Sequence, residues 1–142
     1  MLVSTKGRYA LRVLIDMAEH QGQGYVTLKE IAKRQEISEK YLEVIVKVLV
    51  RNGFLVGVRG KGGGYRLAKS PDECTAADIL ALTEGSLAPV SCLEQDAPSC
   101  HRAAECRTLP LWKGLDDVIQ NYLSQFTIAD LAKQNQEYDY VI

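Results

Sequence analysis

Apolar and polar positions alternate along the chain with periods that change element by element. From Ser4 onward, Ala10, Val13, Leu14, Met17 and Ala18 fall on one face at helical spacing, and Lys6, Arg8 and Arg12 take the start and outer side. This predicts a first helix, ended by Gly22 and Gly24. Thr27 and Glu30 stand at the spacing of a capping box, in which hydroxyl and carboxylate satisfy each other's backbone donors. A short helix burying Leu28, Ile31 and Ala32 follows, to about Gln35. After the turn Glu36, Ile37, Ser38, the apolar residues Leu42, Ile45, Val46 and Leu49 recur at i, i+3, i+4 and i+7. Ser38 is a good N-cap, Gly53 a good stop, and Lys40, Glu43, Lys47 and Arg51 occupy the opposite face. Val56 and Val58, then Tyr65 and Leu67, read as two short strands around the glycine run Gly60 to Gly64. The order helix, short helix, tight turn, helix, hairpin predicts a mainly α fold with a small β-hairpin: a winged helix-turn-helix DNA-binding domain over residues 1–70.

The second half repeats these signals without the hairpin. Thr75 and Asp78 form another capping signature ahead of Ile79, Leu80 and Leu82, and Gly85 ends that helix. Residues 86–107 read as a loop, so 71–107 is expected to be a linking helix and a cysteine-bearing loop. Pro110 suits a first helical turn. From there to about Gln125, Leu111, Leu115, Val118, Ile119, Tyr122 and Phe126 form a stripe too apolar to be left in water. It predicts a long dimerisation helix which, with a last short helix capped by Thr127 and Asp130, fills 108–135. A loosely ordered tail is expected over 136–142.

Charge sharpens the picture. The 142 residues carry a net charge of only −1, yet residues 1–69 hold 13 Lys/Arg against 6 Asp/Glu and the remainder 4 against 12. A basic half that is also the helix-turn-helix half suits double-stranded DNA. Ser38, Lys40, Tyr41 and Glu43 lie in the first turns of the third helix, where base edges are reachable. A carboxylate at Glu43 either accepts from cytosine N4–H or pairs with Lys40 or Lys47 on the helix surface. Arg59 at the wing base is expected in a minor groove, with Gly60, Lys61 and Gly62 bringing backbone and charge to the phosphates. No apolar run reaches membrane-spanning length, and the N-terminus lacks a signal-peptide core; a cytoplasmic protein is expected. No enzyme is expected: there is no nucleophile–base pairing and no paired acids, and the glycine run lacks the P-loop spacing.

Cys92, Cys100 and Cys106 stand at C-x7-C-x5-C in one loop. Thiolates suit an iron–sulfur cluster or zinc, and three in one loop can converge on a single centre. Zinc ribbons prefer C-x2-C knuckles, absent here, so a zinc-holding structural or partner-binding module is the reading from a different class. A fourth ligand would come from His101, the best local candidate by chemistry, or from Glu105, or from none; His101 is equally well read as a solvated loop residue. Cys74, outside the loop, reads as a small, partly buried filler. His20 reads as a surface residue near a helix C-terminus.

The opening STKGRYALRVLIDMA, the segment ISEKYLEVIVKVLVRNGFLVGVRGKGGGYRLAKSP and the loop cysteines followed by LW resemble the IscR, NsrR and CymR type of bacterial regulators, the Rrf2 family. The resemblance spans nearly the whole chain, and the RGKGGGYRL wing is its most specific motif. It implies a homodimeric winged helix-turn-helix transcription factor that uses a glutamate of this motif for readout. In its cluster-binding branch, three loop cysteines hold an iron–sulfur cluster, 2Fe–2S or 4Fe–4S, that tunes DNA recognition. CymR-type members regulate cysteine metabolism and lack the trio. The trio thus favours an IscR-like sensor of cluster status or an NsrR-like nitric oxide or redox-sensing repressor over a CymR-like regulator. Two positions depart from the pattern. The IscR-type histidine three residues past the third cysteine is Leu109 here, and the NsrR-type N-terminal aspartate is Arg8; neither ligates, which leaves the fourth ligand open.

Overall fold

The computed structural model describes residues 2–137. Among them, six helices and one hairpin follow in the order α1 (Thr5–Glu19), α2 (Leu28–Gln35), α3 (Glu39–Arg51), β1 (Leu55–Val58), β2 (Gly64–Leu67), α4 (Ala76–Glu84), α5 (Leu109–Ser124) and α6 (Ile128–Glu137). The strands pair antiparallel, Leu55 with Leu67 and Val58 with Gly64 at the two ends. Val26 extends this sheet by one bridge to Tyr65, with N–H to O distances of 2.8 and 2.7 Å, and so zips the approach to α2 onto the wing. The fold is the expected one: mostly helical, with a winged helix-turn-helix first half and a long helix in the second.

α1 is the common support. It packs against α2, α3 and β2 of the first half and against α4 and α6 of the second. Ala10, Val13, Leu14 and Met17 of α1 join Ile31, Leu42, Ile45, Val46, Leu49 and Leu55 in one buried cluster, which Ile79 of α4 and Ile128 of α6 complete. Each of the buried Val, Leu, Ile and Met side chains stabilises the fold by about 1.5–3 kcal/mol relative to exposure. The capping boxes predicted at Thr27 with Glu30 and Thr75 with Asp78 are both formed. Cys74 also lies in this core, at 5% exposure, so it is more deeply buried than the filler expected of it. Burial pushes its thiol up to about 11, with the Asp78 carboxylate adding to the effect.

Several boundaries move for local reasons. α1 stops at Glu19, capped by His20, and the chain passes through a 3-10 turn, Gln21–Gln23, before Gly24 at φ 75°. His20 is half-buried rather than on the surface: its Nδ1 lies 2.7 Å from the Asp16 carbonyl oxygen. α5 ends at Ser124, so Phe126 sits beyond it and packs its ring edge-on to Tyr122. α6 continues to Glu137, past the expected start of the loose tail; residues 138–142 of that tail lie outside the described residues.

Two polar contacts hold α1 at its ends. At its start, Glu84 Oε1 at the end of α4 accepts from the Ser4 backbone N–H and hydroxyl, both at 2.8 Å, while Ser4 Oγ accepts from Gly7 N–H at 3.0 Å. The carboxylate also complements the positive end of the helix dipole. A Cβ at position 7 would run into Glu84 Oε1, so only glycine admits this approach. Near the other end, Asp16 is 1% exposed yet charged. Arg34 of α2 donates to it twice, Nε at 3.0 Å and Nη2 at 2.8 Å, and Gln35 Nε2 donates at 2.9 Å. Arg12 in turn donates to the Gln35 side chain at 3.2 Å and to its carbonyl oxygen. Burial works to raise the Asp16 carboxyl, but hydrogen bonds from Arg34 and Gln35 and the charge of Arg34 hold it below the usual carboxylate value.

A carboxyl lowered in this way contributes stability above its unfolded pKa of about 4, and the contribution is lost as pH falls through the native value. Removing the cation should therefore hurt more than neutralising the acid. Arg34→Met leaves a buried, under-compensated carboxylate and should cost about 3 kcal/mol at pH 7. Asp16→Asn frees a half-exposed guanidinium that can turn to water and should cost about 1–2 kcal/mol. Urea denaturation measures both. The Arg34→Met deficit should shrink as pH falls, because the carboxyl takes up a proton more readily once Arg34 no longer holds its pKa down; a deficit independent of pH would contradict this account.

Candidate functional site

Two surfaces carry the candidate chemistry, one in each half. The first is formed by α3 and the hairpin. Ser38 Oγ accepts from Tyr41 N–H at 3.2 Å, which fixes the start of α3. The helix buries Leu42, Ile45, Val46 and Leu49 and turns Glu39, Lys40, Glu43, Val44, Lys47 and Arg51 outward. Among the described residues Glu43 forms no ion pair with Lys40 or Lys47. Its carboxylate stays available for a partner outside the chain. Tyr41 is half-buried, its ring edge-on to Tyr9 at 5.6 Å, so it offers less to the outside than its early position on α3 suggested. α2 and α3 join through Glu36, a non-glycine residue at φ 54°, and this turn is where Arg12 grips the Gln35 carbonyl.

The hairpin stands beside α3. Arg59, Gly60, Lys61 and Gly62 are all exposed at its tip, with Gly60 and Gly62 at φ 100° and 79°. An open groove of about 400 Å³ runs between the two elements, lined by Val46, Lys47, Val50, Arg51, Gly57, Val58, Arg59 and Tyr65. Three cations along an open groove beside an exposed helix make a surface for a polyanion. At the back of the wing, Arg66 Nε donates to the Tyr25 hydroxyl at 3.3 Å and its guanidinium lies 5.9 Å from that ring.

The second surface is the cysteine loop. Cys92, Cys100 and Cys106 line one cavity of about 260 Å³. Its wall continues onto the first turns of α5 through Leu109 and Lys113, which spacing alone did not bring to the site. The three thiols share this space without being gathered: among the described residues, no three His, Cys, Asp or Glu side chains stand close enough to hold a metal ion. His101 is exposed and does not line the cavity, whereas Leu109, three residues past Cys106, does. Cys106 Sγ is 3.5 Å from the Thr108 hydroxyl. That hydroxyl and nearby backbone N–H groups draw the Cys106 thiol below its ordinary value, toward thiolate. Soft donors on a common cavity, one already tending to the anion and a lysine in the wall, are a donor set that fits an iron–sulfur cluster.

α5 carries the third set of expected residues. It has no fully buried residue and packs chiefly on α4. Leu111, Leu115, Val118 and Tyr122 recur at i, i+4, i+7 and i+11 and are all exposed, Leu111 and Val118 by 61% and 63%. Ile119 departs from this set. It is half-buried, in phase with Trp112, Asp116 and Leu123, on the side of the helix that its own chain partly covers.

Comparison with known proteins places these features in a family. The model of the Rrf2 family, described as iron-dependent transcriptional regulators, matches residues 3–134. The HTH-type transcriptional regulator CymR of Bacillus subtilis is 39% identical over 132 residues, covering 93% of this chain and 90% of the relative. The HTH-type transcriptional regulator IscR of Pectobacterium carotovorum is 35% identical over 139 residues, covering 98% and 84%. Among solved structures, CymR of B. subtilis, titled the global cysteine regulator of that organism, superposes with a TM-score of 0.76 at 36% identity, covering 94% of this chain and 98% of the other. IscR of T. potens superposes with a TM-score of 0.75 at 33% identity, covering 100% and 93%. With the winged helix-turn-helix in place and a family match over nearly its whole length, the chain belongs to the Rrf2 family of transcription regulators.

Proposed function

We propose that this regulator binds an operator as a homodimer and that an iron–sulfur cluster on Cys92, Cys100 and Cys106 adjusts that binding. The observation that carries the cluster is the shared cavity: three thiols from a 15-residue stretch face one space whose wall is the start of α5. Lys113 in that wall offsets part of the thiolates' negative charge. When bound, a cluster supplies a centre whose charge changes with redox state. The chain's own part is to hold the thiolates, keep Leu109 as an apolar, non-ligating wall, and link the loop to α5 through the Cys106–Thr108 contact. No histidine or carboxylate lines the cavity, so a fourth ligand of that kind comes from elsewhere: His101 or Glu105 after loop movement, a second subunit, or a small molecule. A CymR-like role is the competing reading, because that relative is as similar to the chain as IscR is.

Anaerobic reconstitution with iron and sulfide decides between these readings. Wild type should turn brown and carry iron and sulfide. Cys92→Ala, Cys100→Ala and Cys106→Ala should each lose most of the iron, and Cys74→Ala should keep it. Full iron content in any of the three loop variants would remove the site. A colourless protein that binds zinc tightly would favour the structural-zinc reading, and one that binds neither the CymR-like reading.

DNA readout is assigned to Ser38, Lys40 and Glu43 of α3, to Tyr41 where its edge stays accessible, and to Arg59, Gly60, Lys61 and Gly62 of the wing. Arg59→Ala should weaken binding to all duplexes alike and lower the salt dependence by about one counterion. Glu43→Ala should instead relax sequence choice, reducing discrimination at one base pair by about 1–3 kcal/mol. Titrations against matched and mismatched duplexes separate the two. Equal loss on every sequence from Glu43→Ala would refute its readout role.

Dimerisation is assigned to the exposed stripe Leu111, Leu115, Val118 and Tyr122, with Ile119 beside it. Val118→Glu combined with Tyr122→Glu touches no buried residue, so the fold should persist while the mass in solution falls to that of a 15.7 kDa monomer. Light scattering reads this directly, and an unchanged dimer would move the interface off α5.

A further inference from the structure

The outward stripe of α3 contains one residue that folding does not explain. Lys40, Val44, Lys47 and Arg51 recur at i, i+4, i+7 and i+11, and all four are exposed. Three are cations. Val44, between them, is 53% exposed and takes no part in the hydrophobic core or the shell packed on it. A β-branched residue in a helix interior also gives up some helix propensity relative to the lysine or glutamate usual on such a face. Single exposed valines are common on protein surfaces and by themselves say nothing. This one stands in the middle of a basic stripe on the helix assigned to the major groove, next to Glu43. With Lys47 and Arg51 seating the helix against phosphates, Val44 would face the floor of the groove. There the one apolar group that a base pair presents is the C5-methyl of thymine.

We propose that Val44 packs on a thymine methyl of the operator and is a specificity-determining residue, selecting T over C at one base pair of each half-site. Hydrogen bonding by Glu43 and methyl contact by Val44 would then read adjacent positions, one polar and one apolar. The inference rests on the assignment of α3 as the recognition helix.

The test uses the full chain and a duplex selected by wild type from a random pool. Each thymine of that duplex is replaced in turn by deoxyuridine, which removes the methyl and leaves every hydrogen-bonding group. One symmetry-related pair of thymines should be sensitive, each substitution weakening wild-type binding about fourfold, the value expected for one carbon at about 0.8 kcal/mol. Val44→Ala should abolish the sensitivity at that position only. Lys47→Ala, a phosphate contact, should weaken binding to thymine and deoxyuridine duplexes equally. A flat wild-type profile, or a Val44→Ala profile identical to wild type, overturns the contact; the first arm needs no variant to fold. If wild type selects no duplex at all, the recognition-helix assignment fails and the Val44 contact fails with it, an outcome distinct from a selected duplex with a flat profile.

Discussion

α1 has to be covered on both sides before either half of the chain has a core. Its apolar residues meet the helix-turn-helix on one side and α4 and α6 on the other, and one buried cluster runs through both sets. The helix-turn-helix and the helices of the second half are therefore parts of one packing problem. A helix in this position is sensitive to sliding and rotation, since both would misplace two sets of contacts together. Its anchoring is accordingly polar and directional: Glu84 pins the first turn and the Arg34–Asp16 fork the last but one. The fork also reaches the turn between α2 and α3, through Gln35 and Arg12, so the entry to α3 is tied to a charge buried in the core.

The local signals in the sequence carried far. Capping pairs three residues apart, the apolar stripe of α3 and the glycine-tipped hairpin all involve neighbours along the chain, and their physics is complete within a few residues. What escaped the sequence was long-range. Asp16 reads as a break in an apolar helix until Arg34, 18 residues later, folds over it, and Glu84 meets Ser4 across 80 residues. α5 shows a different limit. Apolar residues stand on both sides of it, so periodicity finds the stripe but does not show that Ile119 is half-buried within its own chain while Leu111, Leu115, Val118 and Tyr122 are exposed. For the cysteine loop, composition identified the donors and only the fold revealed that α5, through Leu109 and Lys113, forms part of their enclosure.

That enclosure joins the loop to the helix mechanically as well as spatially. Thr108 occupies the N-cap position of α5 but makes no capping hydrogen bond; its hydroxyl lies against Cys106 Sγ instead. Pro110, which lacks an N–H, reduces the number of donors left unsatisfied there. The first turn of α5 is thus held less by its own cap than by its neighbour in the loop. A change in the charge or position of the Cys106 sulfur therefore falls on a residue that begins the helix whose far face is exposed.

Cys74 gives the molecule a second use for sulfur. Its thiol is raised to about 11 and buried in the core, and its carbonyl accepts from Ile128 N–H at 2.8 Å, while Cys92 and Cys100 are exposed and Cys106 half-exposed. Thiol reactivity needs both thiolate and access. An alkylating reagent at neutral pH therefore divides the four cysteines into three that react in the native state and one that waits for the core to open. The rate at which the fourth label arrives is a stopwatch for that opening, built into the chain.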